Sequence, residues 1–275
     1  MSATTQIAAV PTTARTRRIW NATWPGIMAI GIVLLAWQLL WLTNWRPHWV
    51  LPDPATVGAE LGGMMLDPRF WQALLTTMTR GIVGFGIALV VGTVLGALVA
   101  RSRILRSAIG SLLTGLQTMP SIAWFPLAIL FFGATEEAIL FVIVLGAAPS
   151  IANGLIAGID DVPPQLQRAG HALGARGFTL FRTVILPAAL PTYVAGLKQG
   201  WAFSWRSLMA GELLVVIAER ASLGAQLSNA RAFADAPLLL ATMIVILVLG
   251  MLVDAAFTQL ANRIRARRGL GTVRL

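Results

Sequence analysis

Cysteine is absent from the 275 residues, histidine occurs twice and lysine once. Without cysteine there are no disulfides and no thiolate metal sites. His48 and His171 fall in different loops on opposite sides of the expected topology, so no metal site and no cofactor are expected. Charge is the larger deficit. Asp, Glu, Lys and Arg make up 12% of the chain, about half of the roughly 25% usual in soluble domains. Hydrophobic residues make up 57%. So little charge cannot cover a water-soluble body, and the same composition excludes disorder, a collagen-like repeat and a disulfide scaffold.

Long uncharged windows, by contrast, are plentiful. A run of about 18 or more apolar residues reads as a membrane helix. Charges punctuate the sequence into six such spans, at about 22–44, 77–100, 107–132, 137–158, 188–217 and 236–262. Pro120 and Pro126 should break or bend the third. The fifth is interrupted by Lys198, Arg206 and Glu212. The predicted fold class is all-α: a polytopic bundle of six transmembrane helices, flanked by tails 1–21 and 263–275.

Orientation follows from the placement of Arg and Lys in short loops. One side holds Arg15, Arg17, Arg18, Arg101, Arg103, Arg106, Arg168, Arg176, Arg182 and the tail residues Arg263, Arg265, Arg267, Arg268 and Arg274. The other has Arg46, Arg69, Arg220 and Arg231 against Asp53, Glu60, Asp67, Glu136, Glu137, Glu219 and Asp235. Both ends are therefore expected in the cytoplasm, with the protein crossing its membrane several times. The net charge of +10 is scattered along one membrane face. It reads as a topology signal with attraction to anionic lipid rather than as a nucleic-acid site. The apolar run after Arg15–Arg18 is too long for a signal peptide and lacks a small-residue cleavage site, so a retained first helix is expected.

Small residues recur every fourth position at Ala88, Gly92, Gly96 and Ala100, and again at Gly146, Ser150, Gly154 and Gly158. Such stripes let membrane helices approach closely; they suit packing within the bundle, with a subunit interface as the alternative. In the external loop, Asp53 and Pro54 form a helix start, and Val57, Leu61, Met64 and Met65 follow at helical spacing. Trp45 and Trp49 fit an interfacial aromatic belt. Between spans four and five, Asp160-Asp161-Val162-Pro163-Pro164 opens a short helix over about 162–176, with Asp161 as its expected cap and Gly174 or Gly177 as its end. Leu166, Ala169 and Leu173 share one face of it.

That last segment carries a resemblance. Permeases of binding-protein-dependent ABC importers have a cytoplasmic loop of pattern Glu-Ala-Ala, three residues, Gly, nine residues, Ile-any-Leu-Pro. This chain reads Arg168-Ala169-Gly170, then Gly174, then Val184-Ile185-Leu186-Pro187. Gly, Leu and Pro match at the right spacing, whereas Arg168 stands in place of glutamate and Gly170 in place of alanine. The resemblance runs from about Trp37 to Arg268. It takes in Leu51-Pro52-Asp53-Pro54, Gln117-Thr118-Met119-Pro120, Phe131-Phe132-Gly133, Ala210-Gly211-Glu212, Gly224 and Asn229-Ala230-Arg231. Together these look like the nitrate, sulfonate and taurine branch of such permeases.

The resemblance implies a non-catalytic subunit that forms the pathway for a small anion, with aliphatic sulfonate preferred. It implies two copies of a cytoplasmic ATP-binding subunit, a second permease subunit in a homodimer, and an extracytoplasmic substrate-binding protein. Gln165, Arg168, Ala169, Gly170, Ala172, Gly174, Leu186 and Pro187 would serve coupling to the ATPase. The only lysine lies in Gly196-Leu197-Lys198-Gln199, which is not a phosphate loop, so ATP chemistry belongs on a partner chain.

Ionisable groups inside a membrane cost about 2.5–3.5 kcal/mol each on insertion scales, so span five needs an explanation. On a helix, Lys198 and Glu212 lie about 40° apart around the axis but about 21 Å apart along it, so they cannot pair. Arg206 sits about 80° from Lys198, with Trp201 and Trp205 beside them. One reading makes Lys198 and Arg206 a cationic sector for an anion in transit; the other has them paired with carbonyls or carboxylates elsewhere. Glu212 reads as architectural. Two rival functions remain: an ion-gradient-driven secondary transporter, which would work alone, and a membrane enzyme. The second lacks an intramembrane Asp pair, a His-Glu-any-any-His motif and a Ser–His arrangement at one depth.

Overall fold

A computed structural model describes residues 12–217 and 220–266. Residues 1–11, Glu219 and the tail arginines Arg267, Arg268 and Arg274 lie outside the described residues. Among the described residues all regular structure is helical. The order is α1 (Thr12–Leu42), α2 (Pro54–Leu66), α3 (Pro68–Arg101), α4 (Arg103–Thr118), a 3-10 turn (Ser121–Trp124), α5 (Phe125–Phe132) and α6 (Glu136–Asp160). After these come α7 (Pro164–Ala172), α8 (Gly177–Leu180), a π turn (Phe181–Ile185), α9 (Leu186–Leu214), α10 (Leu223–Ala232) and α11 (Ala236–Ala266).

Five stretches are long and apolar enough to cross a membrane: Trp24–Leu42, Pro68–Arg101, Glu136–Asp160, Gly177–Leu214 and Ala236–Ile264. A sixth is broken, with Ile104–Thr118 and Ser121–Phe132 meeting at 105°. The break falls at Met119-Pro120, because the residue before a proline is pushed out of helical geometry and Met119 is extended (ψ 127°). Pro126 breaks nothing. It lies at the start of α5, where its missing N–H has no partner to lose.

Helix α6 is the axis of the bundle, lying between α3 on one side and α9 on the other. The small-residue stripes explain how it fits there. A Cβ added at Gly92 would stand 2.6 Å from Ala148 O, and one at Gly96 2.8 Å from Ala152 O, so α3 and α6 touch through backbone. Gly154 meets Gly196 of α9, where an added Cβ would lie 2.5 Å from the facing Cα. The stripes are thus spent on packing inside this chain. Around them Ala88, Ala147 and Ile151 close the middle of the bundle, and Phe125, Ile139, Ile143 and Leu208 close one end.

The shorter elements follow local rules. Asp53 caps α2, accepting from the Ala55 and Thr56 backbone N–H groups at 3.1 and 3.3 Å, with Pro54 at the first turn. Val57 and Met64 of α2 pack with Phe70, Leu223, Ala241 and Val245, while Met65 faces outward. Helix α3 begins at Pro68, well before residue 77, because Asp67 caps it at the Arg69 N–H (2.8 Å). Helix α1 is tied to the body through Trp37, whose indole N–H donates to Pro52 O at 3.0 Å.

Candidate functional site

The three charged residues of α9 have separate partners. Glu212 is fully buried. Its carboxylate oxygens lie 2.8 and 3.1 Å from Thr77 Oγ1, 2.9 Å from Arg80 Nη1 and 3.0 Å from the Gly224 N–H. Thr77 Oγ1 in turn accepts the Leu223 N–H at 3.0 Å. Arg80 spreads its fork between two carboxylates: its Nε and Nη2 reach Glu136 at 3.1 and 2.9 Å. Arg220 closes the outer side of Glu136 at 2.7 Å. One connected set of ion pairs therefore ties α3, α6, α9 and the start of α10 together. A buried carboxylate is tolerable only when its lone pairs are filled in this way.

The same cluster gives a physical reason for two glycines. A Cβ at Gly224 would stand 2.2 Å from Glu212 Cβ, and one at Gly211 would press on Phe125 and Ile139 at 2.9 and 3.0 Å. Ala210-Gly211-Glu212 and Gly224, separate motifs in the chain, are two sides of one contact. Thr77, Arg80 and Glu136 were missed by the sequence reading. The available signal was that Arg80 falls inside the span expected at 77–100, a buried cation in need of a carboxylate.

Lys198 is paired as well. Its Nζ lies 3.0 Å from Asp254 Oδ2 and 2.9 Å from Thr258 Oγ1, both on α11. Arg206 is different. Its Nε donates to Ala202 O at 3.1 Å and its guanidinium carbon stands 4.8 Å from the centre of the Phe203 ring. Among the described residues no carboxylate pairs with it. Lys198, Arg206 and Glu212 are thus not brought together. Trp201 and Trp205 stack at 6.2 Å between ring centres. Trp201 Nε1, Ser204 Oγ and Ser207 Oγ are buried without a hydrogen-bond partner among the described residues.

The segment between α6 and α9 presents a short exposed helix. Gln165, Arg168, Ala169 and Ala172 of α7 are exposed, whereas Gly170 is buried. A Cβ at Gly170 would meet Leu180 Cδ1 at 2.6 Å and Val184 Cγ2 at 3.1 Å, so this face of α7 lies close on the following turns. Gly174 takes a left-handed φ of 84°, which turns the chain after α7 at little cost for glycine. Leu186 and Pro187 begin α9 behind the π turn. The Leu186 N–H reaches back five residues to Phe181 O, a wide register that accommodates the proline ring and its missing donor. Asp161 does not cap α7, contrary to expectation. Pro163 holds the cap position, and Asp161 accepts from Thr192 Oγ1 at 3.3 Å instead. Its neighbour Asp160 pairs with Arg106 at 2.9 Å, joining α6 to α4.

A six-span bundle with a broken third span, and a short helix displayed between the fourth and fifth, is the architecture of a membrane transport subunit. The family described as binding-protein-dependent transport system inner membrane component matches residues 88–266, and the chain belongs to it, within the branch of nitrate, sulfonate and taurine permeases. The chain is 30% identical over 243 residues to the putative aliphatic sulfonates transport permease protein SsuC of Escherichia coli K12, covering 88% of this chain and 90% of that one. To the nitrate import permease protein NrtB of Synechocystis it is 29% identical over 197 residues, 68% of this chain and 70% of the relative. Among solved structures, an inward-facing conformation of the MetNI methionine ABC transporter aligns at a TM-score of 0.55 and 23% identity, over 70% of this chain and 93% of that one. This last likeness bears on the fold. The chain is accordingly a permease subunit of an ABC importer, a non-catalytic inner-membrane component of a family that works with ATP-binding subunits and substrate-binding proteins. Membership sets aside the ion-gradient transporter and the membrane enzyme.

Proposed function

We propose that this subunit imports a small organic anion, an aliphatic sulfonate, and that it works as a homodimer with two cytoplasmic ATPases and an extracytoplasmic binding protein. The observation that carries the solute class is the match to the aliphatic sulfonate relative over most of both chains. An intramembrane arginine without a carboxylate partner, Arg206, supports an anion over a cation.

In this reading both termini face the cytoplasm, as the arginine bias requires, and α7 is the element that engages the ATPase. Its exposure supports that role. Leu166 is 46%, Leu173 88% and Phe178 73% exposed, so these apolar side chains on and after α7 are left largely uncovered by the described residues. Gln165, Arg168, Ala169 and Ala172 supply the contact. Gly170, Gly174, Leu186 and Pro187 hold the short helix against the start of α9, so that movement of α7 reaches the charged stretch of that helix.

The test is reconstitution in liposomes of this chain with a candidate ATPase and a candidate binding protein, sought first among the neighbouring genes. Uptake of a labelled short alkanesulfonate that requires ATP and the binding protein, and that nitrate does not compete, is the expected result. Uptake of nitrate in its place overturns the solute. Because the chain has no native cysteine, a single Ala172→Cys change also tests coupling. It should crosslink to a cysteine-bearing ATPase with a yield that changes on adding ATP. No crosslink to a folded ATPase, with the thiol accessible from the cytoplasm, refutes the role of α7.

A further inference from the structure

We infer that the oxyanion group of the transported solute is held in transit at the break of the third span, by Arg206 with Gln117 and Ser121, and that Lys198 takes no part. This rests on the anion-importer reading above and narrows it to one place.

The break between α4 and the Ser121–Trp124 turn opens a cavity of about 330 Å³, whose lining includes Gln117, Ser121, Trp124, Phe203 and Arg206. That lies at the lower end of the range of small-molecule sites, roughly 300–1,000 Å³. Broken spans are tolerated at membrane depth where they line a cavity, because the freed backbone groups then find water or solute. Arg206 spends one donor on Ala202 O, and its two terminal nitrogens make no hydrogen bond among the described residues. A planar guanidinium with free terminal donors matches two oxygens of a sulfonate. The Gln117 amide and the Ser121 hydroxyl likewise have no partner among the described residues and supply further donors.

A second observation points to the same place. Ser207, next to Arg206 in the chain, is fully buried with its hydroxyl unpartnered. That hydroxyl abuts Gly146, a lining residue of the cavity, where an added Cβ would lie 2.7 Å from Ser207 Oγ. Trp124 and Phe203 provide apolar walls for a short alkyl chain. Lys198, by contrast, already has Asp254 at 3.0 Å and Thr258 at 2.9 Å, so its charge is balanced before any solute arrives. Of the two cations expected to share one sector, only Arg206 lines the cavity at the break.

The absence of native cysteine makes the test clean. A Ser121→Cys thiol in the complete transporter, reconstituted with its ATPase and binding protein, is reacted with a sulfonate-bearing thiosulfonate reagent and with its cationic counterpart. A cleft of one charge concentrates counter-ions and raises encounter rates by roughly 10- to 1,000-fold. Arg206→Gln should therefore lower the anionic reagent's rate by about tenfold relative to the cationic one, while Lys198→Gln leaves the ratio unchanged. Gln117→Cys serves as a second reporter if Ser121→Cys does not assemble. An equal ratio in the parent and Arg206→Gln proteins, a matching change in Lys198→Gln, or a thiol that neither reagent reaches overturns the assignment. Sulfonate uptake, measured on liposomes that hold the chain without a reporter cysteine and its Arg206→Gln variant, separates the two claims. Uptake intact in Arg206→Gln with an unchanged ratio removes the site and leaves the importer, whereas no sulfonate uptake by the parent removes the solute itself.

Discussion

Glu212 and Arg206 sit on one helix, less than two turns apart, and their surroundings are opposites. Glu212 has no solvent exposure and its oxygens are filled by Thr77, Arg80 and the Gly224 N–H. Arg206 borders a cavity with one backbone acceptor and an aromatic ring for company. A charge saturated by its own chain is part of the architecture, because removing one partner leaves the other buried and unpaired. A charge left with free donors at a cavity wall is available to something that comes and goes. Finding a charged residue inside a membrane helix therefore settles little; what matters is whether its hydrogen-bonding capacity is already used.

The largest test of this contrast removes one side of the saturated cluster. Glu212→Ala leaves the Arg80 guanidinium buried with Glu136 alone, and breaking one partner of a buried pair costs about 3–5 kcal/mol. The variant is expected to lose that much stability in thermal unfolding of the purified protein, with a corresponding loss of assembled material. Replacing both partners by apolar residues, as in Arg80→Met with Glu212→Leu, should recover a large part of the loss, since no uncompensated charge remains toward α9. A double variant as unstable as the single one would show that the cluster does more than satisfy its own charges. The next largest effect is expected at Gly154→Val. It forces a side chain against the Gly196 backbone, and overpacking of this kind costs about 1–3 kcal/mol. Helix crosslinking between α6 and α9 reports whether the pair has moved apart.

The architecture was largely legible in the sequence, for definite reasons. Six spans follow from uncharged windows, the break at Pro120 from proline stereochemistry, and the α2 start from Asp53-Pro54. The stripes at Gly92, Gly96 and Gly154 announced close helix packing, although the sequence could not say that α6 receives it on two faces. What remained hidden was the pairing of charges across long separations. Arg80 and Asp254 both fall inside expected spans, which signals that each needs a partner, but nothing local names Glu212 and Lys198 as those partners. Asp161 is the converse case. Acid followed by Pro-Pro is a good local signal for a cap, yet Thr192, thirty-one residues later, takes the carboxylate. The two readings of Lys198 and Arg206 stayed open in the sequence for a related reason: helical angle places two side chains around an axis but does not reveal what the neighbouring helix brings to each.

Arg206→Gln sharpens the contrast with a small stability effect. Because Arg206 makes no ion pair within the described chain, its removal should shift stability by less than about 0.5 kcal/mol, the usual range for positions without such features. Sulfonate uptake, measured on the same preparation, should fall. Lys198→Gln should show the reverse balance. It breaks a half-exposed pair worth about 0–1 kcal/mol and should leave uptake close to the parent rate. If both variants lose stability and uptake in proportion, the distinction between architectural and available charge does not hold on α9.

The smallest expected effect lies outside the membrane, at Asp53. The Thr56 hydroxyl, more than any other group, holds this carboxyl below its usual range, assisted by the backbone N–H groups of Thr56 and Ala55. A depressed carboxylate stabilises the folded cap above its ordinary value, about pH 3.9, and that contribution is lost as the pH falls through the lower folded value. The first turn of α2 should therefore fray under acid while remaining intact across the neutral range. An Asp53→Asn variant can still cap the helix through its side-chain amide oxygen, but that amide does not titrate. Amide exchange at Ala55 and Thr56, corrected for its intrinsic pH dependence, should show the acid-induced opening in the parent and a flat profile in the variant. A parent profile as flat as that of Asp53→Asn would mean that the packing of Val57 and Met64, rather than the cap, holds the start of α2.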